Sequence, residues 1–381
     1  MLERMLAIVE RGKPVCPVCI NSEDLGQQLR QHETSGVCAY CEGLSERCVD
    51  LGYLVQVIRR TADLYFADPA MAGVPRNDGE WQCGEGSLYS AFDILDEFEL
   101  DFSKRLHDEI AASLSDGVLP CAHGSWHARH FDHEMSEAWE RLVFLTLKDD
   151  CADLRSVLQA DFSEELDPPG LSLGAFLCQT VMTLSDVDAI IKIASDTPLF
   201  RALRHKEGRQ YRSFTDVGPP PADKARNNRM SPAGVPDFYL AFEDETALAE
   251  TRQSPEQELV LASFRAIAPM FVADLTRLPA IPSIFDVGAY DRRKALQFLH
   301  KFRDEVSKPV IPTSSFCAYR PTQVFCEVLR SKITRPPLDG IVYLSSKRQN
   351  GRNLALFTKP QRPFDKLVKW LCPVKHHGCI Q

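Results

Sequence analysis

The stretch Arg226 to Glu250, RNNRMSPAGVPDFYLAFEDETALAE, places several kinds of chemistry within one short segment. Arg226 and Arg229 offer permanently charged guanidinium forks, which match phosphate oxygens. Ser231 to Pro236 reads as a rigid turn, in which Gly234 permits a close backbone approach. Phe238 to Phe242 is a short apolar run of the kind that forms a buried strand, and Tyr239 adds a phenol to it. Asp244 is placed to cap a following helix that carries the carboxylate of Glu250. Taken singly, a strand tyrosine is usually core and a helical glutamate is usually solvated. Their conjunction with paired arginines points to one cleft.

A second constellation lies near the start. Cys16 and Cys19 form one CxxC pair, Cys38 and Cys41 another, and 18 residues separate the pairs. Each CxxC turn aims two thiolates at one ion, and two turns close a tetrahedron, so the spacing predicts a structural zinc site. Four thiolates leave no open coordination position for catalysis. Gly43 follows the second pair, where a tight knuckle turn favours glycine. The thirteen cysteines are an odd number, and no export signal is visible, which argues against a disulfide framework.

These residues need elements to hold them. Leu51, Leu54, Val55 and Ile58 mark one apolar helical face. Phe92, Leu95, Phe98 and Leu106 suggest a second helix, Trp139, Leu142, Val143 and Leu145 a third, and Val181 through Ile191 another. Further on, Leu259 to Asp274 predicts one or two strands, Asp291 to Val306 a helix, and Pro321 to Ser331 a short helix opened by its proline. Gly340–Ser345 and Leu354–Phe357 read as strands joined by a turn containing Asn350-Gly351. The tail from Cys372 to Cys379 matches no metal spacing and reads as a frayed, reduced terminus.

The net charge of −9 disfavours a general nucleic-acid binder. No apolar run approaches the ~18 residues of a membrane span, and the first residues lack the apolar core of a signal peptide. A cytoplasmic protein is the expectation. GxGxxG and GxxxxGK[ST] are both absent, which argues against Rossmann and P-loop folds.

The Arg226–Glu250 block resembles the RES-domain family of bacterial toxins. The likeness extends upstream to Leu199–Arg204 and Gly218-Pro219-Pro220. Downstream it takes in Pro321-Thr322-Gln323, Asp339–Ser346 and Asn353–Phe357. Known RES proteins act on NAD as glycohydrolases, phosphorylases or ADP-ribosyltransferases, on a fold similar to bacterial ADP-ribosylating toxins. The resemblance implies that Arg201 and Arg229 are the family's two arginines, with Arg226 and Arg204 as rivals. Tyr239, Glu250 and Ser345 match its Tyr, Glu and Ser, with Ser346 competing for the last. The implied catalytic set is Glu250, Tyr239, Arg229 and Ser345, and the implied NAD contacts are Arg201, Arg226, Arg229, Tyr239 and Ser345.

The preceding helical region resembles the HEPN-like domain found before RES in some bacterial proteins, with Trp126 and Phe131-Asp132-His133-Glu134 as landmarks. HEPN ribonucleases space an Arg and a His by four to six residues. Arg129 and His133 have three residues between them and Arg105 and His107 one, so a non-catalytic platform for an antitoxin or regulator is expected. The His123, His127, His130 and His133 cluster reads as hydrogen-bonded or exposed histidines. The expected organisation is α+β: a zinc segment over 1–48, an all-α HEPN-like domain over 49–193, a mixed RES domain over 194–365, and a tail over 366–381. Three functions stay open: an NAD-cleaving toxin or defence effector, an ADP-ribosyltransferase with a macromolecular acceptor, and a zinc-containing RNA module with a nucleotide-sensing RES half.

Overall fold

The computed structural model describes residues 12–70, 74–82, 88–114, 134–147, 154–163, 171–254, 256–308, 319–331 and 334–378. Trp126, Arg129, Phe131, Asp132, Cys379 and all four clustered histidines, His123, His127, His130 and His133, lie outside them. No helix among the described residues is long and apolar enough to cross a membrane. The chain divides into two compact units. One is drawn from Met1–Glu137, Glu165–Leu171 and Ile281–Lys294, the other from Ala138–Glu164, Ser172–Ala280 and Ala295–Gln381.

The first unit opens with β1 (Pro14–Val15), α1 (Pro17–Ile20), α2 (Glu23–Leu29), β2 (Thr34–Val37) and β3 (Leu44–Asp50). Its three-stranded sheet has the order β1-β3-β2. Helix α3 (Leu51–Tyr65) follows, with the Asp50 carboxylate accepting from the Gly52 amide at 2.9 Å. Leu51, Leu54, Val55 and Ile58 are buried, as their spacing predicts. A small hairpin, β4 (Arg76–Asn77) with β5 (Glu80–Trp81), interrupts the helical run. The single helix expected from Phe92 to Leu106 is two, α4 (Ala91–Glu97) and α5 (Lys104–Leu114). Glu99 takes a left-handed backbone (φ 53°) between them, and Phe92 is exposed.

In the second unit, α6 (Glu134–Thr146, from Ala138 on), α7 (Leu154–Ser163) and α8 (Leu173–Asp186) precede the sheet. The apolar run predicted as helix through Ile191 breaks at Asp188 (φ 54°), and the Ala189 amide bonds back to the Leu184 carbonyl at 2.9 Å. Ile190 and Ile191 therefore begin a strand, β6 (Ile190–Ile193). The other strands are β7 (Pro198–Arg204), β8 (Phe238–Ala241), β9 (Leu259–Ala266), β10 (Met270–Asp274), β11 (Gly340–Leu344), β12 (Arg352–Leu356) and β13 (Val368–His377). They form one eight-stranded sheet, β13-β9-β7-β8-β12-β11-β10-β6, in which β10 and β11 run parallel and the other pairs antiparallel. The short α9 (Phe214–Val217), α10 (Asp244–Thr251), α11 (Tyr290–Ser307, from Ala295 on) and α12 (Arg320–Arg330) complete the unit.

The predicted strands and hairpin over residues 259–274 and 340–357 are all present. The tail is a correction. Residues 368–377 are not frayed but pair with β9 along the sheet edge, with a register shift between Leu371 and Lys375. Pro373 falls in that irregular stretch, where a missing amide costs no ladder bond. Asp244 is also corrected: Glu243 is the N-cap, and Asp244 is already the first helical residue.

Alternation along the strands sorts side chains to the two faces of the sheet. Phe238, Leu240, Val342, Leu354 and Leu356 enter one apolar core with Leu199, Phe264 and Val272. On the other face, Ala202, Ala241 and Leu261 pack against Ala247 of α10. Cross-strand register puts Ala241 opposite Asn353 and Asn353 opposite Tyr343, so these three share a face with Tyr239.

Candidate functional site

That second face carries a cavity of about 670 Å³ in the second unit, within the usual range for small-molecule sites. Arg201, Arg229, Tyr239, Glu250, Tyr343 and Asn353 are on its wall, with Arg252, Ser346, Lys347 and Lys308. β7 and β8 diverge here: they share a single registered pair, Phe200 with Ala241.

Glu250 lies in the last turn of α10. Its Oε1 accepts from the Ser345 hydroxyl at 2.6 Å and from the Asn353 side-chain amide at 2.8 Å. Oε2 accepts from none of the described residues. Glu243 braces the start of the same helix: its Oε2 accepts from the Arg352 amide and the Thr246 hydroxyl, both at 2.9 Å. Gly351 is needed beside this brace, because a Cβ there would sit 2.6 Å from the Thr246 oxygen.

Arg229 leaves the loop before β8. Its guanidinium donates to the Glu305 carbonyl at 2.8 Å and lies 5.2 Å from the Tyr319 ring centroid. Helix α12 holds this loop. The Thr322 hydroxyl donates to the Arg229 carbonyl at 2.6 Å, and the Gln323 amide reaches the Asn228 carbonyl at 2.6 Å, the Asn227 oxygen at 2.8 Å and the Ser231 carbonyl at 3.3 Å. The Pro321-Thr322-Gln323 block is thus a clamp on the arginine loop. Arg226 is exposed and absent from the cavity wall.

Arg201 extends from β7. It donates to the Gly218 carbonyl at 2.7 Å and lies 5.3 Å from the Phe238 ring centroid. Burial lowers it to about 10, which still leaves it charged near neutrality. The Tyr239 hydroxyl is 3.1 Å from the Ser231 hydroxyl, and burial, seconded by the Asp237 carboxylate, pushes its phenol well above its ordinary value. Burial also raises Tyr343, with Glu250 raising it further and Arg229 opposing, so Tyr343 lies within electrostatic reach of both.

Ser345 does not reach the cavity wall, whereas Ser346 does. Asn353 and Tyr343 are two wall residues that residue type alone does not single out. Asn353 stands in the family-like block Asn353–Phe357, and a polar side chain inside an apolar strand was the available signal.

In the first unit, the thiols of Cys16, Cys19, Cys38 and Cys41 all lie within 4.8 Å of one another. Cys16 and Cys41 sulfurs are 3.5 Å apart and Cys38 and Cys19 sulfurs 3.7 Å. A tetrahedron with Zn–S bonds of about 2.3 Å has edges of roughly 3.8 Å, so the donor set fits one metal ion. Burial raises Cys16 and Cys19. For Cys38 burial acts the same way, but amide donors from Cys16, Tyr40 and Cys41 outweigh it and bring the thiol down to about 6. The left-handed turn residue after this pair is Glu42 (φ 57°) rather than Gly43, whose carbonyl accepts from the Cys38 amide at 2.9 Å. Cys48 bonds backbone carbonyls and His32 packs against the Tyr53 ring, and neither belongs to the group of four mutually close thiols.

Residues 198–376 match the RES domain family. That stretch, a little under half of the chain, is similar to the RES domain. That match takes in the cavity residues from Arg201 to Asn353 and runs nearly to the end of β13. No curated protein and no solved structure matches the chain.

Proposed function

We propose that the RES domain cleaves NAD at the bond between nicotinamide and ribose, with water or phosphate as the acceptor. The observation that carries this reading is the Glu250 carboxylate, tied at Oε1 and with Oε2 unbonded among the described residues, on the wall of a cavity that also holds Arg229 and Tyr239. The nicotinamide leaving group already bears positive charge and needs little acid assistance. The difficulty lies in the oxocarbenium character of the ribose at the transition state, and a fixed carboxylate stabilises that charge. Arg229 supplies a cation for the pyrophosphate, whereas the Arg201 guanidinium turns to the Phe238 face of the sheet and is bonded to Gly218. Arg229 takes the second-arginine role because Arg226 lies away from the wall. Tyr239 and Tyr343 offer aromatic surface and neutral hydroxyls for the nicotinamide and ribose. We assign zinc to the four-cysteine site as a structural ion, and the helical region to binding a regulator such as an antitoxin. On this reading the protein is a cytoplasmic toxin or defence effector.

Incubating the purified chain with NAD tests the reading. Free nicotinamide together with ADP-ribose or its phosphate is the expected result. Label carried onto a protein acceptor would make the chain an ADP-ribosyltransferase, and the absence of any nicotinamide release would sink both.

A further inference from the structure

The Ser345 hydroxyl is fully used inside the protein. It donates to Glu250 Oε1 at 2.6 Å and accepts from the amides of Lys347 and Arg348, each at 3.1 Å. A serine hydroxyl has one proton and two lone pairs, so no capacity is left for a bound molecule. Ser345 is also absent from the cavity wall, where its neighbour Ser346 stands exposed. Asn353, only 5% exposed, brings a second donor to the same carboxylate oxygen from a strand whose first residue, Arg352, is held by Glu243. Two donors on one oxygen fix the plane and the free edge of a side chain that otherwise has three rotatable bonds.

We propose that Ser345 and Asn353 are positioning residues that aim the free oxygen of Glu250 into the cavity, and that Ser346 supplies the hydroxyl that touches the substrate. This inference rests on the NAD-cleaving reading above. Preorganised charge costs no reorganisation at the moment of reaction, so loss of the positioning pair should appear in kcat. A substrate contact present in the ground state should appear in KM.

Steady-state kinetics with NAD on the full chain, alongside thermal unfolding, separates the roles. Ser345→Ala is expected to lower kcat by roughly 10²-fold, the scale of a misplaced catalytic group, with KM close to that of the unaltered chain. Ser345→Thr, which restores the hydroxyl, should recover most of the loss. Ser346→Ala is expected to raise KM about 5-fold, the worth of one hydrogen bond, with kcat retained. A Ser345→Ala protein of native stability that raises KM and keeps kcat overturns the assignment, as does a folded Ser345→Thr protein no better than Ser345→Ala. A Ser346→Ala protein with both constants unchanged removes Ser346 from the substrate. Absence of NAD turnover by the unaltered chain is a different result: it rejects the underlying reaction, and this inference with it.

Discussion

The side-chain amide of Gln323 lies 2.6 Å from the backbone carbonyl of Asn228, so a residue of helix α12 sets the course of the loop that carries Arg229. The same amide also meets Asn227 and Ser231, and Gln323 is buried. Gln323→Ala leaves buried carbonyls without this donor and is expected to cost about 1–3 kcal/mol of stability. Gln323→Glu should be worse, because it sets an acceptor against acceptors. Urea unfolding checks the order, and NAD affinity should fall in step as Arg229 loses its position. Equal stability of the two variants would contradict the clamp.

Glu250→Gln keeps shape and removes charge. Turnover of NAD is expected to fall by ~10²–10³ while binding persists, since the lost partner acts on charge that develops in the transition state. Arg229→Ala should weaken NAD binding instead, because a pyrophosphate contact exists in the ground state too. Calorimetric titration beside initial rates distinguishes the two. Full turnover by a folded Glu250→Gln protein would return Glu250 to the status of an ordinary helix residue.

The shift at Tyr239 fixes the sign of a pH experiment. Burial and Asp237 raise its phenol above the ordinary 10.0, so the hydroxyl is neutral throughout the range below that value. Any alkaline limb in the rate profile below pH 10.0 must then belong to another group. Tyr239→Phe should lower the rate at every pH without moving that limb. A limb that disappears in Tyr239→Phe would show that the phenol ionises far more easily than its surroundings allow.

The four thiols of the first unit predict about one zinc per chain in purified protein, measured by elemental analysis. Cys38→Ser should release the ion and lower the stability of the first unit, as a chelator should in the native chain. Ordinary thermal stability of the metal-free protein would rule out a structural role.

Local chemistry was legible in the sequence; long-range pairing was not. The CxxC spacing led to four converging thiols because both turns are local and only their docking is remote. Asn350-Gly351 announced the hairpin of β11 and β12, since turn chemistry acts over a few residues. The continuation of helical spacing through Ile190 and Ile191 misled, because a four-residue strand against β10 is chosen by its partner and not by its own periodicity. The Cys- and His-rich tail looked unstructured for the same reason: its order comes from the open edge of β9. Arg201 carried no sign of its bond to Gly218 or its seat over Phe238. Asn353 showed itself only once register placed it beside Tyr343 and within reach of Glu250.

The carboxylate and its two donors lie 95 and 103 positions apart in the chain. A ribosome adding about 5–20 residues per second therefore releases Glu250 roughly 5–20 s before Ser345 and Asn353 exist. Through that interval β8 has no β12 beside it, and one wall of the cavity is missing. A nascent chain, or one cut short by a premature stop before Asn353, presents an untethered glutamate on an incomplete sheet. On the proposed reading, cleavage of NAD by this chain begins only after those strands have been translated.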